Sequence, residues 1–206
     1  MQQSLFDSQP DPCYQVDLID GEVTYYPNWI APDVASQYQQ TLVEELTWRQ
    51  DTIKMFGKLV KIPRLQSWHG EPHCVYQYSD LTLKPQPWTP LLKQIKRDCE
   101  LCTGAKFNSV LANWYRDGQD SMGMHADDEP ELGPEPVIAS VTFGQTRPFV
   151  LKHIHTNEKH VISLEHGSLL IMAGKTQQYY HHGINKTKKA LSDRINLTFR
   201  QIKHER

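Results

Sequence analysis

The stretch Arg194-Ile195-Asn196-Leu197-Thr198-Phe199-Arg200 alternates strictly between polar and apolar side chains. Successive side chains of a β-strand point to opposite faces, so this alternation predicts a strand with one apolar and one polar face. The apolar face is suited to a core. The polar face carries a cation at each end. We expect this face to line a pocket where the polar faces of other strands lie beside it.

The rest of the chain predicts an α+β fold. Apolar positions Val34, Tyr38, Leu42 and Leu46 recur at four-residue spacing and predict a helix at 32–47, and a second helix is expected at 89–102. Short apolar runs separated by turn signals such as Asp117-Gly118 predict strands at 22–26, 107–115, 137–143, 149–154, 160–164, 168–172 and 194–202. This pattern favours a β-sandwich or jelly-roll core.

The composition is typical of one soluble, globular domain, with 206 residues, 38% of them apolar and 22% charged. The net charge of −2 gives no sign of nucleic acid, so any such interface must be a local patch. No apolar run approaches the ~20 residues that span a bilayer, and residues 1–11 lack the apolar centre of a secretory signal. We therefore expect a cytoplasmic protein without membrane contact, in which the four cysteines are reduced thiols.

His125, Asp127 and His182 form the candidate metal site. His125 and Asp127 are two residues apart and share one side of an extended chain, and His182 follows 55 residues later. Two imidazoles and one carboxylate on one face of Fe(II) leave positions open for a chelating cosubstrate and O2. A closed zinc site would not provide such positions. Because His-x-Asp alone is common and often only a surface turn, the assignment needs a second feature.

Arg194 supplies that second feature. It lies twelve residues after His182, beside Asn196 on the polar face of the last strand. A guanidinium in this position can hold a carboxylate in a bidentate fork. The combination suits 2-oxoglutarate, whose keto-acid end chelates iron while its distal carboxylate meets the arginine.

Residues 107–202 resemble the AlkB family of Fe(II)/2-oxoglutarate dioxygenases, most closely the branch that repairs alkylated DNA. The matching motifs, in order, are Asn113-Trp114-Tyr115-Arg116-Asp117-Gly118, His125-Ala126-Asp127-Asp128-Glu129, Ile138-Ala139-Ser140-Val141-Thr142-Phe143-Gly144 and the strand quoted above. The stretch 107–202 that contains them is nearly half of the chain. One departure is Asn185, where the family often has proline. The resemblance implies a double-stranded β-helix (jelly-roll) core at 105–206 with the N-terminal helices packed on one sheet. It also implies Fe(II), 2-oxoglutarate and O2 as the metal and cosubstrates.

The resemblance also implies the residues of the site. The implied iron ligands are His125, Asp127 and His182, with His181 as the competing choice; His182 is preferred because it precedes Arg194 by twelve residues. The implied 2-oxoglutarate contacts are Asn113, Tyr115, Arg194, Asn196 and Arg200. The Cα atoms of Arg194 and Arg200 lie ~20 Å apart in a straight strand, so both reach one small diacid only if their side chains lean together.

Residues 48–84 resemble the nucleotide-recognition lid of that branch, within a single domain at 21–206 that follows a flexible arm at 1–20. The expected substrate contacts are Phe56, Arg64, Tyr76, Tyr78, Asp128 and Glu129. A base inside a duplex must be flipped out to react, and Phe56 is the expected wedge in the vacated stack. Tyr76 and Tyr78 would stack on the flipped base, although taken alone a tyrosine pair at strand spacing is usually core.

The implied reaction is oxidative demethylation of 1-methyladenine and 3-methylcytosine in DNA. Alkylated RNA or protein side chains are alternative substrates. A non-catalytic nucleic-acid-binding module and a metal-dependent hydrolase are alternatives of other classes, and the hydrolase leaves Arg194 and Asn196 without a role. The expected phosphate contacts are Arg147, Lys152, His153, Lys186, Lys188 and Lys189. Gln2-Gln3-Ser4-Leu5-Phe6 resembles the peptide by which partners bind the bacterial sliding clamp, which would place the protein in the bacterial cytosol.

Overall fold

The computed structural model describes residues 13–55, 57–74, 76–78 and 81–203. Its helices are α1 (Pro32–Glu45), α2 (Pro90–Thr103) and the short α3 (Thr176–Tyr179). The first seven strands are β1 (Tyr14–Val16), β2 (Glu22–Tyr26), β3 (Thr52–Met55), β4 (Lys58–Lys61), β5 (Leu65–Gly70), β6 (Tyr76–Tyr78) and β7 (Leu81–Leu83). The remaining strands are β8 (Ser109–Tyr115), β9 (Met122–His125), β10 (Ile138–Gly144), β11 (Arg147–His153), β12 (Lys159–Leu164), β13 (Ser168–Ala173), β14 (Tyr180–Ile184) and β15 (Arg194–Arg200).

Two antiparallel sheets form the jelly-roll core that the sequence predicted. The larger sheet has the strand order β1-β2-β13-β10-β15-β8-β5, and the smaller sheet has the order β12-β11-β14-β9. An apolar cluster between the two sheets includes Ile138, Leu170, Leu151 and Ile162. The strand pairs β3-β4 and β6-β7 form separate two-stranded ribbons. The α+β assignment with a jelly-roll core is therefore confirmed.

β15 lies inside the larger sheet, between β10 and β8, and both of its faces are buried. Its apolar residues Ile195, Leu197 and Phe199 pack in one cluster with residues of α1 and α2. Its polar residues line a cavity together with His182 of the smaller sheet. The alternation of the sequence thus separates a helix-covered core on one side from a polar interior on the other.

Local chemistry explains where α2 begins and ends. Thr89 caps α2, since its hydroxyl accepts a hydrogen bond from the Leu92 amide at 3.2 Å. Gly104, in the left-handed conformation at φ 69°, ends α2 and donates its amide to the Glu100 carbonyl. On α1, Leu42 and Leu46 of the predicted apolar face are buried, and the small Ala35 is buried beside them.

Two groups of strands differ from the sequence prediction. Tyr14–Val16, within the predicted flexible arm, forms an edge strand paired with β2, whereas the clamp-like residues 2–6 lie outside the described residues. β9 and β14 were not predicted, because Gly123 and the His181-His182-Gly183 run give little local strand signal. Among the described helices, none is long and apolar enough to cross a membrane.

We predict that Leu197→Ala lowers the free energy of unfolding by about 2–5 kcal/mol, because the side chain is fully buried between sheet and helices. Leu101→Ala is the matched control, since Leu101 is 79% exposed on α2 and its truncation should change stability by less than about 0.5 kcal/mol. Urea denaturation followed by circular dichroism measures both. Equal losses for the two variants would contradict the assigned packing of β15.

Candidate active site

Three side chains converge at the open end of the smaller sheet. His125 ends β9, Asp127 follows it two residues later, and His182 lies on β14 opposite His125. One ligand atom from each residue lies within 4.8 Å of the others. The Nε2 atom of His125 is 3.7 Å from Asp127 Oδ1, and the Nε2 atom of His182 is 4.0 Å from Asp127 Oδ2. The three side chains are able to hold one metal ion.

Strand register decides which of the two adjacent histidines faces the site. His182 pairs with Leu151, a core residue between the sheets, whereas His181 pairs with Lys152 and points the other way. His182 is accordingly buried and His181 is exposed. Gly183 permits this arrangement, because a Cβ atom there would lie 2.8 Å from the Met122 carbonyl oxygen of β9. The strand that carries His125 can therefore pass close to β14.

The electrostatics of the three residues suit a divalent cation. Burial favours a neutral Asp127, but the attraction of the Arg200 guanidinium, with smaller contributions from the His182 and His125 imidazoles, outweighs it and lowers the pKa of Asp127 to about 2. Burial lowers the pKa of His182 to about 3, so its imidazole is neutral near pH 7. Metal ligands must be deprotonated in this way. Among the described residues, the buried Oδ2 atom of Asp127 has no hydrogen-bond donor, which leaves it free for a metal.

A cavity extends from the metal-ligand residues into the space between the sheets. Its polar and apolar lining residues are Asn113, Tyr115, Met122, His125, Asp127, Ser140, Phe149, Met172, His182, Gly183, Ile184, Arg194, Asn196, Thr198 and Arg200. All five residues that the sequence predicted as cosubstrate contacts are in this set. The cavity therefore joins the metal-ligand residues to the polar faces of β8 and β15.

Arg194 is the most unusual residue of the cavity. Its Nη2 atom donates to Asn196 Oδ1 at 2.7 Å and to Thr142 Oγ1 at 3.0 Å, and its guanidinium lies 5.1 Å from the centre of the Tyr115 ring. Its Nε and Nη1 atoms are buried and have no acceptor within the part of the chain that the structure describes. Burial lowers the pKa of Arg194 to about 10, so the side chain remains a cation near pH 7. An anion in the cavity would satisfy both free donors.

Arg200 lies at the metal end of the same strand face. Its Nη2 atom donates to Asp127 Oδ1 at 2.7 Å. The wide separation of Arg194 and Arg200 along the strand does not require their guanidinium groups to lean together. Arg200 borders the metal-ligand residues, and Arg194 borders the other part of the cavity. Arg200 is bonded here to a metal-ligand residue, a contact that the sequence did not predict.

The structure describes the side chains of only some of the expected substrate contacts. Phe56 lies outside the described residues, and Tyr76 and Tyr78 are described as the backbone of β6. Asp128 is exposed and Glu129 is partly buried, directly after the metal-ligand carboxylate. Arg64 is the remaining residue that the sequence predicted as a substrate contact. It is buried, and its Nε atom donates to Asn113 Oδ1 at 2.8 Å.

The expected phosphate contacts also differ in their exposure. Lys186, Lys188 and Lys189 are exposed. Arg147 is buried, and its guanidinium donates to the carbonyl oxygens of Asp117, Asp120 and Asn185 at 2.7–3.1 Å. The prediction that Arg147 contacts phosphate is therefore wrong, because its donors are used to hold two loops together. His153 is buried as well, and its Nδ1 atom accepts from backbone amides.

Several residues that line the cavity or hold its lining residues in place were missed by sequence reasoning. Ser140 and Thr142 donate to Asn196 Oδ1 from β10, and their alternation in Ile138–Gly144 was a signal that could have found them. Gln177 accepts a hydrogen bond from the Asp127 amide at 2.9 Å and so fixes the backbone of a metal-ligand residue. No local pattern indicates Gln177, because it lies 50 residues from its partner.

Comparisons with known proteins agree with this geometry. The family model of the 2OG-Fe(II) oxygenase superfamily matches residues 22–200. The chain is 41% identical over 169 residues to DNA oxidative demethylase ALKBH2 of Mus musculus, covering 78% of this chain and 70% of that protein. It is 42% identical over 168 residues to ALKBH2 of Bos taurus, covering 78% of this chain and 60% of that protein.

A third relative and one solved structure extend the comparison. Alpha-ketoglutarate-dependent dioxygenase alkB homolog 3 of Homo sapiens is 38% identical over 190 residues, covering 87% of this chain and 66% of that protein. The chain thus spans about 60–70% of the length of these relatives. The structure of OsALKBH1 superposes with a TM-score of 0.61 at 16% identity, covering 91% of this chain and 100% of that one, which shows a shared fold.

We predict that His182→Ala weakens Mn(II) binding at least tenfold, because it removes one of three donors at the site. Mn(II) is a redox-stable substitute for Fe(II) and can be titrated by calorimetry. His181→Ala is the matched control and should leave the affinity within twofold, since that side chain points to the opposite face of β14. Equal losses for the two variants, or a loss confined to His181→Ala, would contradict the assignment.

Proposed function

Because the chain belongs to the AlkB family of the 2OG-Fe(II) oxygenase superfamily, we propose that it is an oxidative demethylase of N-alkylated bases in DNA. The observation that carries the chemistry is the buried Arg194, whose Nε and Nη1 donors have no acceptor among the described residues, in the cavity that is also lined by His125, Asp127 and His182. The names of the ALKBH2 relatives support DNA as the substrate. 1-Methyladenine and 3-methylcytosine are the proposed lesions, since their methyl groups lie on the base-pairing edge.

His125, Asp127 and His182 are the proposed Fe(II) ligands. Bound Fe(II) and 2-oxoglutarate supply O2-dependent hydroxylation of the N-methyl group, with succinate and CO2 as coproducts, after which the hydroxymethyl base loses formaldehyde. Arg200 keeps Asp127 ionised and orients its carboxylate through the 2.7 Å hydrogen bond. The Phe149 ring, whose centre lies 5.2 Å from that of His182, limits the directions in which the imidazole can turn.

Arg194 is the proposed partner of the distal carboxylate of 2-oxoglutarate. Nη2 is already used by Thr142 and Asn196, so Nε and Nη1 remain for the ligand. A charge-assisted bond to a carboxylate in this buried setting is stronger than one in water. Asn113, Tyr115, Asn196 and Arg200 complete the proposed set of cosubstrate contacts, all on the interior faces of β8 and β15.

The flipped base is proposed to lie between the metal-ligand residues and a nucleotide-recognition lid at residues 48–84. Tyr76 and Tyr78 of β6 would stack on the base, and Phe56 would occupy the gap that it leaves in the duplex. Asp128 and Glu129, which follow the metal-ligand carboxylate directly, would face the exocyclic nitrogen. Exposed Lys186, Lys188 and Lys189 would contact phosphates.

We predict succinate formation and base repair when the protein is mixed with Fe(II), ascorbate, 2-oxoglutarate and an oligonucleotide that contains 1-methyladenine. Matched DNA, RNA and methylated-peptide substrates should give the highest kcat/KM with DNA. Asp127→Ala should abolish turnover, because it removes a metal ligand and the partner of Arg200. His181→Ala is the control that retains turnover. A preference for RNA or peptide would overturn the DNA assignment, and turnover by Asp127→Ala would overturn the metal site.

A second proposal concerns the N-terminus and rests on the residues Gln2-Gln3-Ser4-Leu5-Phe6 alone. We propose that Leu5 and Phe6 anchor this peptide in the hydrophobic groove of a bacterial sliding clamp, which would place the protein in the bacterial cytosol. The predicted result is that the double substitution Leu5→Ala, Phe6→Ala abolishes clamp binding in calorimetry, whereas Gln15→Ala, within β1, does not. Unchanged clamp affinity of the double variant would exclude this contact.

A further inference from the structure

Arg64 and Gln66 approach the cosubstrate cavity from the segment that precedes and begins β5. Arg64 Nε donates to Asn113 Oδ1 at 2.8 Å, and Gln66 Nε2 donates to the same oxygen at 2.9 Å. Asn113 is almost fully buried and lines the cavity on the interior face of β8. Two donors from one segment therefore converge on a single atom of a proposed cosubstrate contact.

This convergence fixes which end of the Asn113 amide faces the cavity. The oxygen and nitrogen of an asparagine amide have nearly the same shape, so their hydrogen-bond partners decide the orientation. With both donors on Oδ1, the Nδ2 hydrogens remain available to an acceptor in the cavity. A flipped amide would place its hydrogens against the donors of Arg64 and Gln66, and it would present an oxygen to an anionic ligand.

Arg64 also ties this orientation to neighbouring segments. Its Nη1 atom donates to the Ser121 carbonyl at 3.3 Å, and the Ser121 amide donates to the Pro63 carbonyl at 2.8 Å. Ser121 directly precedes β9, the strand that ends at His125. The buried Arg64 guanidinium thus connects the segment after the β3-β4 ribbon with the Asn113 amide and with the start of β9, the strand that ends at His125.

We propose that Arg64 and Gln66 are positioning residues for 2-oxoglutarate, which act by holding the Asn113 amide with its N–H groups toward the carboxylate of the cosubstrate. The inference rests on the proposed function, since it takes 2-oxoglutarate as the ligand of the cavity. It assigns Arg64 a role different from direct contact with the alkylated base. Substituting either donor removes one restraint on the amide, and the affinity for the diacid falls because the amide can turn its oxygen toward it.

The test is calorimetric titration of 2-oxoglutarate into the Mn(II)-loaded protein without DNA. Arg64→Met and Gln66→Leu should each raise the Kd for 2-oxoglutarate about tenfold, the effect of losing one hydrogen bond to a charged ligand. Arg49→Met is the matched control, since Arg49 pairs with Gln66 through its backbone while its side chain is exposed and lies 3.3 Å from Asp51. It should leave the Kd within twofold. Mn(II) affinity within twofold of the unsubstituted protein shows that each variant is folded.

A double-mutant cycle separates positioning from a general structural effect. In an Asn113→Ala background, Arg64→Met should change the Kd for 2-oxoglutarate by less than twofold, because the residue through which it acts is gone. A tenfold effect that persists in that background overturns the proposal. So does an unchanged Kd for 2-oxoglutarate in both single variants, including the case where Arg64→Met raises only the KM for DNA. If the unsubstituted protein binds no 2-oxoglutarate, the proposed function falls together with this inference.

Discussion

The Arg194 guanidinium lies in the interior between two β-sheets, where an uncompensated cation costs several kcal/mol, about the effective desolvation penalty of one buried ion. Thr142, Asn196 and the Tyr115 ring compensate this cost only in part. Two donors stay unsatisfied among the described residues, so the arrangement is stabilised fully only when an anion enters the cavity. The interior faces of β8, β10 and β15 are polar because each supplies groups that surround the buried Arg194 guanidinium.

The rest of the fold makes that polar interior possible. β15 is held between β10 and β8 and packs its apolar residues beneath α1 and α2, so its polar residues have only the inter-sheet space to occupy. At the opposite end of the same strand face, Arg200 is compensated by Asp127. β15 therefore carries both Arg200, which holds a metal-ligand carboxylate, and Arg194, the proposed anion partner, and this fixes the distance between the two ends of the cavity.

Alternation along single strands predicted an α+β fold with many short strands and the polar faces of β8 and β15. The resemblance to the AlkB family supplied the double-stranded β-helix and the choice of His125, Asp127 and His182. Features that depend on pairing between distant segments could not be predicted in this way. The register of Leu151 with His182 decides that His182 faces inward, although sequence spacing had favoured the same residue. Arg64 was predicted to contact the substrate and Arg147 to contact phosphate, yet each is buried and hydrogen-bonds to groups at least 27 residues away. A local pattern records which side chains alternate and not which distant carbonyl or amide they meet.

The central claim is that one cavity holds a metal ion at His125, Asp127 and His182 and a dicarboxylate whose far end meets Arg194. An anaerobic crystal structure with Mn(II) and 2-oxoglutarate tests it most directly. The account predicts Mn(II) on those three side chains, the keto-acid end on the metal, and the distal carboxylate within hydrogen-bond distance of Arg194 Nε and Nη1. A metal on other residues, or a 2-oxoglutarate carboxylate that leaves both Arg194 donors without an acceptor, would contradict it.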